Sequence, residues 1–97
     1  MAKPLTPVEI TDALRALPGW VQAGDALAKE FKFGSFREAL SFMVRVSFEA
    51  EAMDHHPDWT NVYNRVAVRL CTHDAGGKVT AKDVALAQKI QAISWVG

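Results

Sequence analysis

The stretch Trp59-Thr60-Asn61-Val62-Tyr63-Asn64-Arg65-Val66-Ala67-Val68-Arg69-Leu70-Cys71-Thr72-His73 changes the chain's periodicity from helical to strand-like, and so decides the fold class. Trp59 to Tyr63 and Val66 to His73 are β-rich runs that flank Asn64-Arg65, which predicts a hairpin. Val66, Val68, Leu70 and Thr72 alternate against Ala67, Arg69, Cys71 and His73. With a side-chain period of two, His73 falls on the less apolar face, at a strand end that a ligand can reach.

Working outward, Ser35 predicts the cap of a long helix, with Glu38 at capping-box spacing. Its apolar stripe reads Phe36, Leu40, Met43, Val46, Ala50 and Met53, and Val44 and Phe48 form a second stripe displaced around the helix. An arc that wide exceeds what one sheet face needs, which leaves two readings: burial by another subunit, or a helix sunk deeply in its own core. On the other side, Asp74-Ala75-Gly76-Gly77-Lys78 breaks the sheet, and Thr80-Ala81-Lys82-Asp83 offers a capping box for a closing helix lined by Leu86, Ile90 and Ile93.

Nearer the amino terminus, Trp20 to Ala23 and Ala26 to Phe33 read as strands joined at Gly24-Asp25, with Leu27, Phe31 and Phe33 alternating imperfectly. Thr6-Pro7 caps a first helix through Ile10, Ala13, Leu14 and Leu17, which Pro18-Gly19 stops. The expected order is α-β-β-α-β-β-α. This is an α+β fold with a four-stranded antiparallel sheet and three helices on one face, in a single domain over residues 1–97.

Composition narrows the function. Eleven Lys and Arg balance eleven Asp and Glu, and no basic cluster or interleaved aromatic platform appears, which argues against nucleic acid as a direct partner. No apolar h-region or membrane-length apolar run is present, so the expectation is a soluble, cytoplasmic protein. The single cysteine, Cys71, cannot form an internal disulfide and reads as a half-buried reduced thiol rather than a nucleophile.

All three histidines lie in two short segments, Asp54-His55-His56-Pro57 and Thr72-His73-Asp74, near predicted element ends. Histidine titrates near neutral pH and so can give and take protons there. Pro57 biases His56 away from helical geometry, so the long helix should finish before the pair. Neighbouring side chains in extended chain point apart, giving His55 and His56 different tasks: one faces the ligand and the other reaches around it or braces the loop. A metal site is the rival, but adjacent histidines rarely chelate one ion, and no metal is expected. Three merely structural histidines are the bland reading, weakened by their shared placement.

Glu51-Ala52-Met53-Asp54-His55-His56-Pro57-Asp58-Trp59, Asn61-Val62-Tyr63-Asn64, Thr72-His73-Asp74 and Asp83 together resemble the signature of the pterin-4a-carbinolamine dehydratases. Leu17-Pro18-Gly19-Trp20 and Phe31-Lys32-Phe33 extend the likeness over most of the chain, although the family often carries serine where Cys71 stands. The resemblance implies a homodimer or homotetramer that dehydrates a 4a-hydroxytetrahydropterin, without cofactor or metal, in a pathway shared with aromatic amino-acid hydroxylases. It implies proton transfer by His55 and His73 and pterin binding by His56. Asp54, Cys71, Thr72 and Asp74 would hold the ring edges, with Glu51, Asp83 and Trp59 in support. Asp83 also completes a capping box, and Trp59, an aromatic at the start of a strand, reads as core before it reads as a pocket wall. The competing class is an interaction or assembly protein of the same fold, for which three retained histidines would be superfluous.

Overall fold

A computed structural model describes residues 2–97. Helix α1 (Pro7–Leu14) precedes strands β1 (Val21–Ala23) and β2 (Ala26–Lys32), helix α2 (Phe36–Met53), strands β3 (Asp58–Val62) and β4 (Arg65–Leu70), and helix α3 (Ala81–Ile93). The sheet is antiparallel with order β1-β2-β4-β3, so the two hairpins join through β2 and β4. Leu27, Phe31, Val66, Val68 and Leu70 point from it into one buried core beneath the helices. Ala28, Glu30, Thr60, Ala67 and Arg69 line a shallow hollow on the opposite face.

Local chemistry accounts for the element ends. Thr6 and Glu9 form a reciprocal capping box on α1, with Pro7 in its first turn. Ser35 caps α2 by accepting the Glu38 N–H at 3.2 Å, but the Glu38 carboxylate does not reach the Ser35 backbone N–H; it accepts from the Ser35 hydroxyl at 3.4 Å and from the Trp95 indole at 3.1 Å.

The second hairpin turns at Tyr63-Asn64, one residue earlier than expected, and β4 ends at Leu70 rather than running on to His73. Tyr63 is left-handed (φ 52°), a conformation that costs a non-glycine residue about 1–2 kcal/mol. Side-chain amides hold the turn there: Asn61 donates to the Tyr63 and Arg65 carbonyls, and Asn64 donates to the Phe33 carbonyl at 2.8 Å. Beyond Leu70, Thr72 makes one bridge to Lys78, and His73–Ala75 closes into a 3-10 turn that left-handed Gly76 ends.

The rotational phase of α2 also differs from expectation. Ala39, Phe42, Val46 and Ala50 are its buried residues, whereas Phe36 and Leu40 share the outward stripe with Val44 and Phe48. Burying a side chain such as Phe42 is worth about 1.5–3 kcal/mol, and its ring lies 4.8 Å from both Phe31 and Phe33, so packing selects this phase. The helix is therefore not sunk in its own core: Phe48 remains 71% exposed.

Lys29 explains the imperfect alternation of β2. It shares a face with Leu27 and Phe31, and its ammonium donates to the Pro18 carbonyl at 2.7 Å, to Gln91 Oε1 at 2.8 Å and to the Gly97 carbonyl. Desolvation lowers its pKa from the usual lysine value, and this hydrogen-bonded cage replaces part of the lost water.

Candidate functional site

The carboxyl end of α2, the turn after β4 and the amino end of α3 meet at a cleft of about 250 Å³ lined by Asp54, His55, His56, Cys71, His73, Asp74 and Lys82. The histidines are brought there by the way α2 stops. Asp54 caps the helix in left-handed geometry (φ 49°, ψ 44°), and the His55 N–H returns to the Ala50 carbonyl at 3.0 Å. Aspartate tolerates this region better than most residues, and the reversal turns the chain away from the helix axis.

The adjacent histidines have different surroundings. His55 is 8% exposed, and its Nε2 lies 2.6 Å from Oδ1 of Asp83, which is fully buried at the start of α3. The other oxygen, Oδ2, accepts the Thr80 backbone N–H and the Thr72 hydroxyl, both at 2.8 Å. Asp83 thus caps α3 and backs His55 at once. His56 is solvent-exposed, and its Nε2 meets Glu51 Oε1 at 2.8 Å one turn back on α2.

His73 opens the 3-10 turn that follows β4 and lines the cleft, with Asp74 beside it. Cys71 is half-buried on the cleft wall. Thr72 is not on that wall: it is 3% exposed and lies behind Asp83. Trp59 packs against the core and does not line the cleft. Lys82 is a lining residue that sequence reasoning passed over. Its signal was a cation in the first turn of a helix, where the dipole favours acidic side chains.

Among the described residues, no group of three or more histidine, cysteine, aspartate or glutamate side chains stands where it could hold a metal ion. None of the helices described is long and apolar enough to cross a membrane. The arrangement offers three imidazoles within one small cleft, one ammonium, two exposed carboxylates and one thiol. Such a set can bind a polar heterocycle by its edges and exchange protons with it near neutral pH.

Comparison with known proteins adds the family. The family model described as pterin 4 alpha carbinolamine dehydratase matches residues 3–93. The chain belongs to the pterin-4a-carbinolamine dehydratase family. A protein of Opitutus terrae, provisionally named pterin-4-alpha-carbinolamine dehydratase, is 64% identical over 93 residues, covering 96% of each chain. The crystal structure of a transcriptional coactivator/pterin dehydratase from Brucella melitensis superposes with a TM-score of 0.90 at 44% identity, covering 97% of this chain and 99% of that one. A pterin dehydratase-like protein described as a RuBisCO assembly factor of the alpha-carboxysome superposes at 0.66 with 22% identity, covering 81% and 93%; that likeness is one of fold.

Proposed function

We propose that this member of the pterin-4a-carbinolamine dehydratase family removes water from a 4a-hydroxytetrahydropterin to give the quinonoid dihydropterin, a cytoplasmic recycling step after aromatic amino-acid hydroxylation. The observation that carries the reading is the meeting of all three histidines of the chain at one cleft. In the reaction the C4a–O bond breaks, N5 gives up its proton, and the N5 electron pair forms the C4a–N5 double bond. Hydroxide is a poor leaving group, so one imidazolium protonates the 4a-hydroxyl while a neutral imidazole accepts the N5 proton. Positioned acids and bases of this kind contribute about 10²- to 10⁴-fold.

His55 and His73 take the proton-transfer roles, and His56, braced by Glu51, orients the ring. Asp54 and Asp74 suit the pterin's N–H and amino edge, which only donates, and Lys82 suits its carbonyl. Cys71, half-buried on the cleft wall, meets an edge of the ring. Dehydration by these groups proceeds with the protein's own acids and bases and calls for no cofactor.

The test is stopped-flow ultraviolet spectroscopy of a synthetic 4a-hydroxytetrahydropterin decaying with and without the protein. Acceleration that vanishes in the His55→Ala, His73→Ala double variant supports the reading, and decay no faster than the uncatalysed rate overturns it.

The outward stripe of α2 favours a second property, self-association. Phe36 and Phe48, and likewise Leu40 and Val44, are placed symmetrically about Phe42, so an antiparallel second copy would lay each apolar residue against another. Sedimentation of Phe48→Glu, expected to shift the assembly toward smaller species, checks this; an unchanged assembly removes the stripe from the interface. An assembly or interaction role for other proteins would use the same face.

A further inference from the structure

The hydroxyl of Thr72 is absent from the cleft wall, yet it is bonded to the carboxylate that backs His55. Thr72 Oγ1 lies 2.6 Å from Thr80 Oγ1 and donates to Asp83 Oδ2 at 2.8 Å. Because a threonine has one hydroxyl proton and that proton goes to Asp83, the Thr80 hydroxyl must be the donor in the threonine pair. Thr80 Oγ1 in turn accepts the Lys82 backbone N–H at 3.2 Å. A directed chain results, from the amino end of α3 through Thr80 and Thr72 into Asp83.

The chain determines which nitrogen of His55 carries a proton. Oδ2 of Asp83 receives two donors, one of them the Thr80 backbone N–H, which has no other role to take. An ionised carboxylate only accepts, so the ring nitrogen facing Oδ1, Nε2, must bring the proton to its 2.6 Å contact. Nδ1 is then the unprotonated nitrogen of neutral His55. It has no hydrogen-bond partner in the protein, and among the described residues no buried side-chain nitrogen or oxygen lacks one. Nδ1 is therefore open to solvent, and the cleft is what His55 lines.

We propose that Thr72 is a positioning residue which, through Asp83, confines His55 to the Nε2–H tautomer, so that His55 exchanges protons with a bound ligand through Nδ1 alone. The inference deepens the dehydratase reading and rests on it for the identity of the ligand, but not for the tautomer. The backbone of Thr72 is pinned independently of its hydroxyl: its N–H donates to the Lys78 carbonyl at 2.8 Å, and its carbonyl accepts from Gly77 at 3.0 Å. Thr72→Val keeps shape and backbone while deleting the donor. The freed carboxylate oxygen then has one donor instead of two, and the plane of the carboxylate is no longer fixed against the ring.

The experiment is long-range proton–nitrogen correlation NMR of the full chain labelled with ¹⁵N-histidine, at a pH where the three imidazoles are neutral, with His55 assigned by its loss in His55→Ala. The wild-type protein should show His55 as a single Nε2–H tautomer with a ring proton that exchanges slowly with water. Thr72→Val should show a tautomer mixture or a fast-exchanging ring proton, and Thr72→Ser should restore the wild-type pattern. In steady-state dehydration the valine variant should lose kcat by about 10- to 100-fold, by analogy with the loss when the hydrogen-bond partner behind a metal-ligating histidine is removed, with KM little changed.

A wild-type His55 protonated at Nδ1 overturns the proposal, and so does a Thr72→Val spectrum identical to wild type. If the valine variant fails to fold, the wild-type tautomer and the serine variant still decide. A protein with the expected spectra and no dehydration refutes the dehydratase reading and leaves the tautomer assignment standing.

Discussion

Two imidazole–carboxylate pairs formed by adjacent histidines have nearly the same length and opposite physics. His55 and Asp83 lie 2.6 Å apart with side chains 8% and 0% exposed, while His56 and Glu51 lie 2.8 Å apart with side chains 59% and 80% exposed. A contact distance therefore says little about what a pair does. Around Asp83 water has been replaced by fixed donors, so orientation is held at all times and cannot relax if one partner is lost. Around Glu51 water competes with the histidine and fills in when either side chain swings away. The first pair suits a group whose protonation must be defined before the ligand arrives. The second suits a group that adapts to the ligand.

The sharpest way to break the contrast is Asp83→Asn. Oδ2 faces two donors, so the amide oxygen must take that place and the amide NH₂ must face His55. Nε2 then has to accept, which drives the ring proton to Nδ1 and closes the nitrogen that should receive a proton. The same exchange in a Ser-His-Asp triad costs roughly 10⁴ in kcat by the same reversal. A loss of about 10²- to 10⁴-fold in dehydration is expected here, measured by stopped flow. An asparagine variant within a few-fold of wild type would mean that the buried pair does not set the tautomer.

Stability distinguishes the histidines next. His55→Ala leaves Oδ1 of a fully buried carboxylate without its partner, and breaking a buried pair from one side costs about 3–5 kcal/mol. His56→Ala leaves an exposed carboxylate in water, where such pairs contribute about 0–1 kcal/mol. Urea unfolding of the two variants should therefore differ clearly in midpoint with similar slopes. Equal midpoints would show that the burial of Asp83 is relieved in solution.

The same division between held and free groups explains what was legible in the sequence. Threonine and serine caps at Thr6, Ser35 and Thr80 placed all three helix starts, because capping is local chemistry written in adjacent residues. The element order and the two hairpins followed from a clear alternation in β4 and an imperfect one in β2, whereas the β2–β4 pairing that joins the hairpins is supplied by the fold. The phase of α2 did not: both faces of this helix carry apolar residues at helical spacing, and only contact with Phe31 and Phe33 distinguishes Phe42 from Phe36 and Leu40. The turn at Tyr63 was hidden for a related reason, since Asn64 holds it by donating to the distant Phe33 carbonyl.

At the cleft, the histidines and Asp83 were readable as residue types with a spacing. Thr72 was readable as inward-facing from its alternation with Val68 and Leu70, but not as a partner of Asp83: the resemblance set it at the ring edge, and only the fold past Leu70 brings it behind that carboxylate. The resemblance gave Glu51 a supporting role, but not the histidine it supports. The reversal at left-handed Asp54 decides that it reaches His56.

Glu51→Gln carries a smaller expectation. The amide can still accept from His56 through its oxygen, so the geometry survives while the charge is lost. With both side chains exposed, the pair should contribute no more than about 1 kcal/mol, and dehydration should change by only a few-fold, in KM more than in kcat. A kcat loss comparable to that of Asp83→Asn would place His56 among the proton-transfer groups and exchange its role with that of His55 or His73.

The smallest effect is that of salt, and it separates the pairs without any substitution. Raising ionic strength from about 0.1 M to 1 M shortens the screening length from about 10 Å to about 3 Å, which weakens interactions between solvated charges and barely reaches buried ones. His56 with Glu51 should loosen, so KM should drift upward by less than a few-fold, together with any contribution from exposed Lys82, Asp54 and Asp74. His55 with Asp83 lies beyond the reach of the ions, so kcat and the protected His55 ring proton should stay constant across the titration. A ring proton that begins to exchange as salt rises would show that water reaches Asp83, and the contrast between the two pairs would then be one of degree.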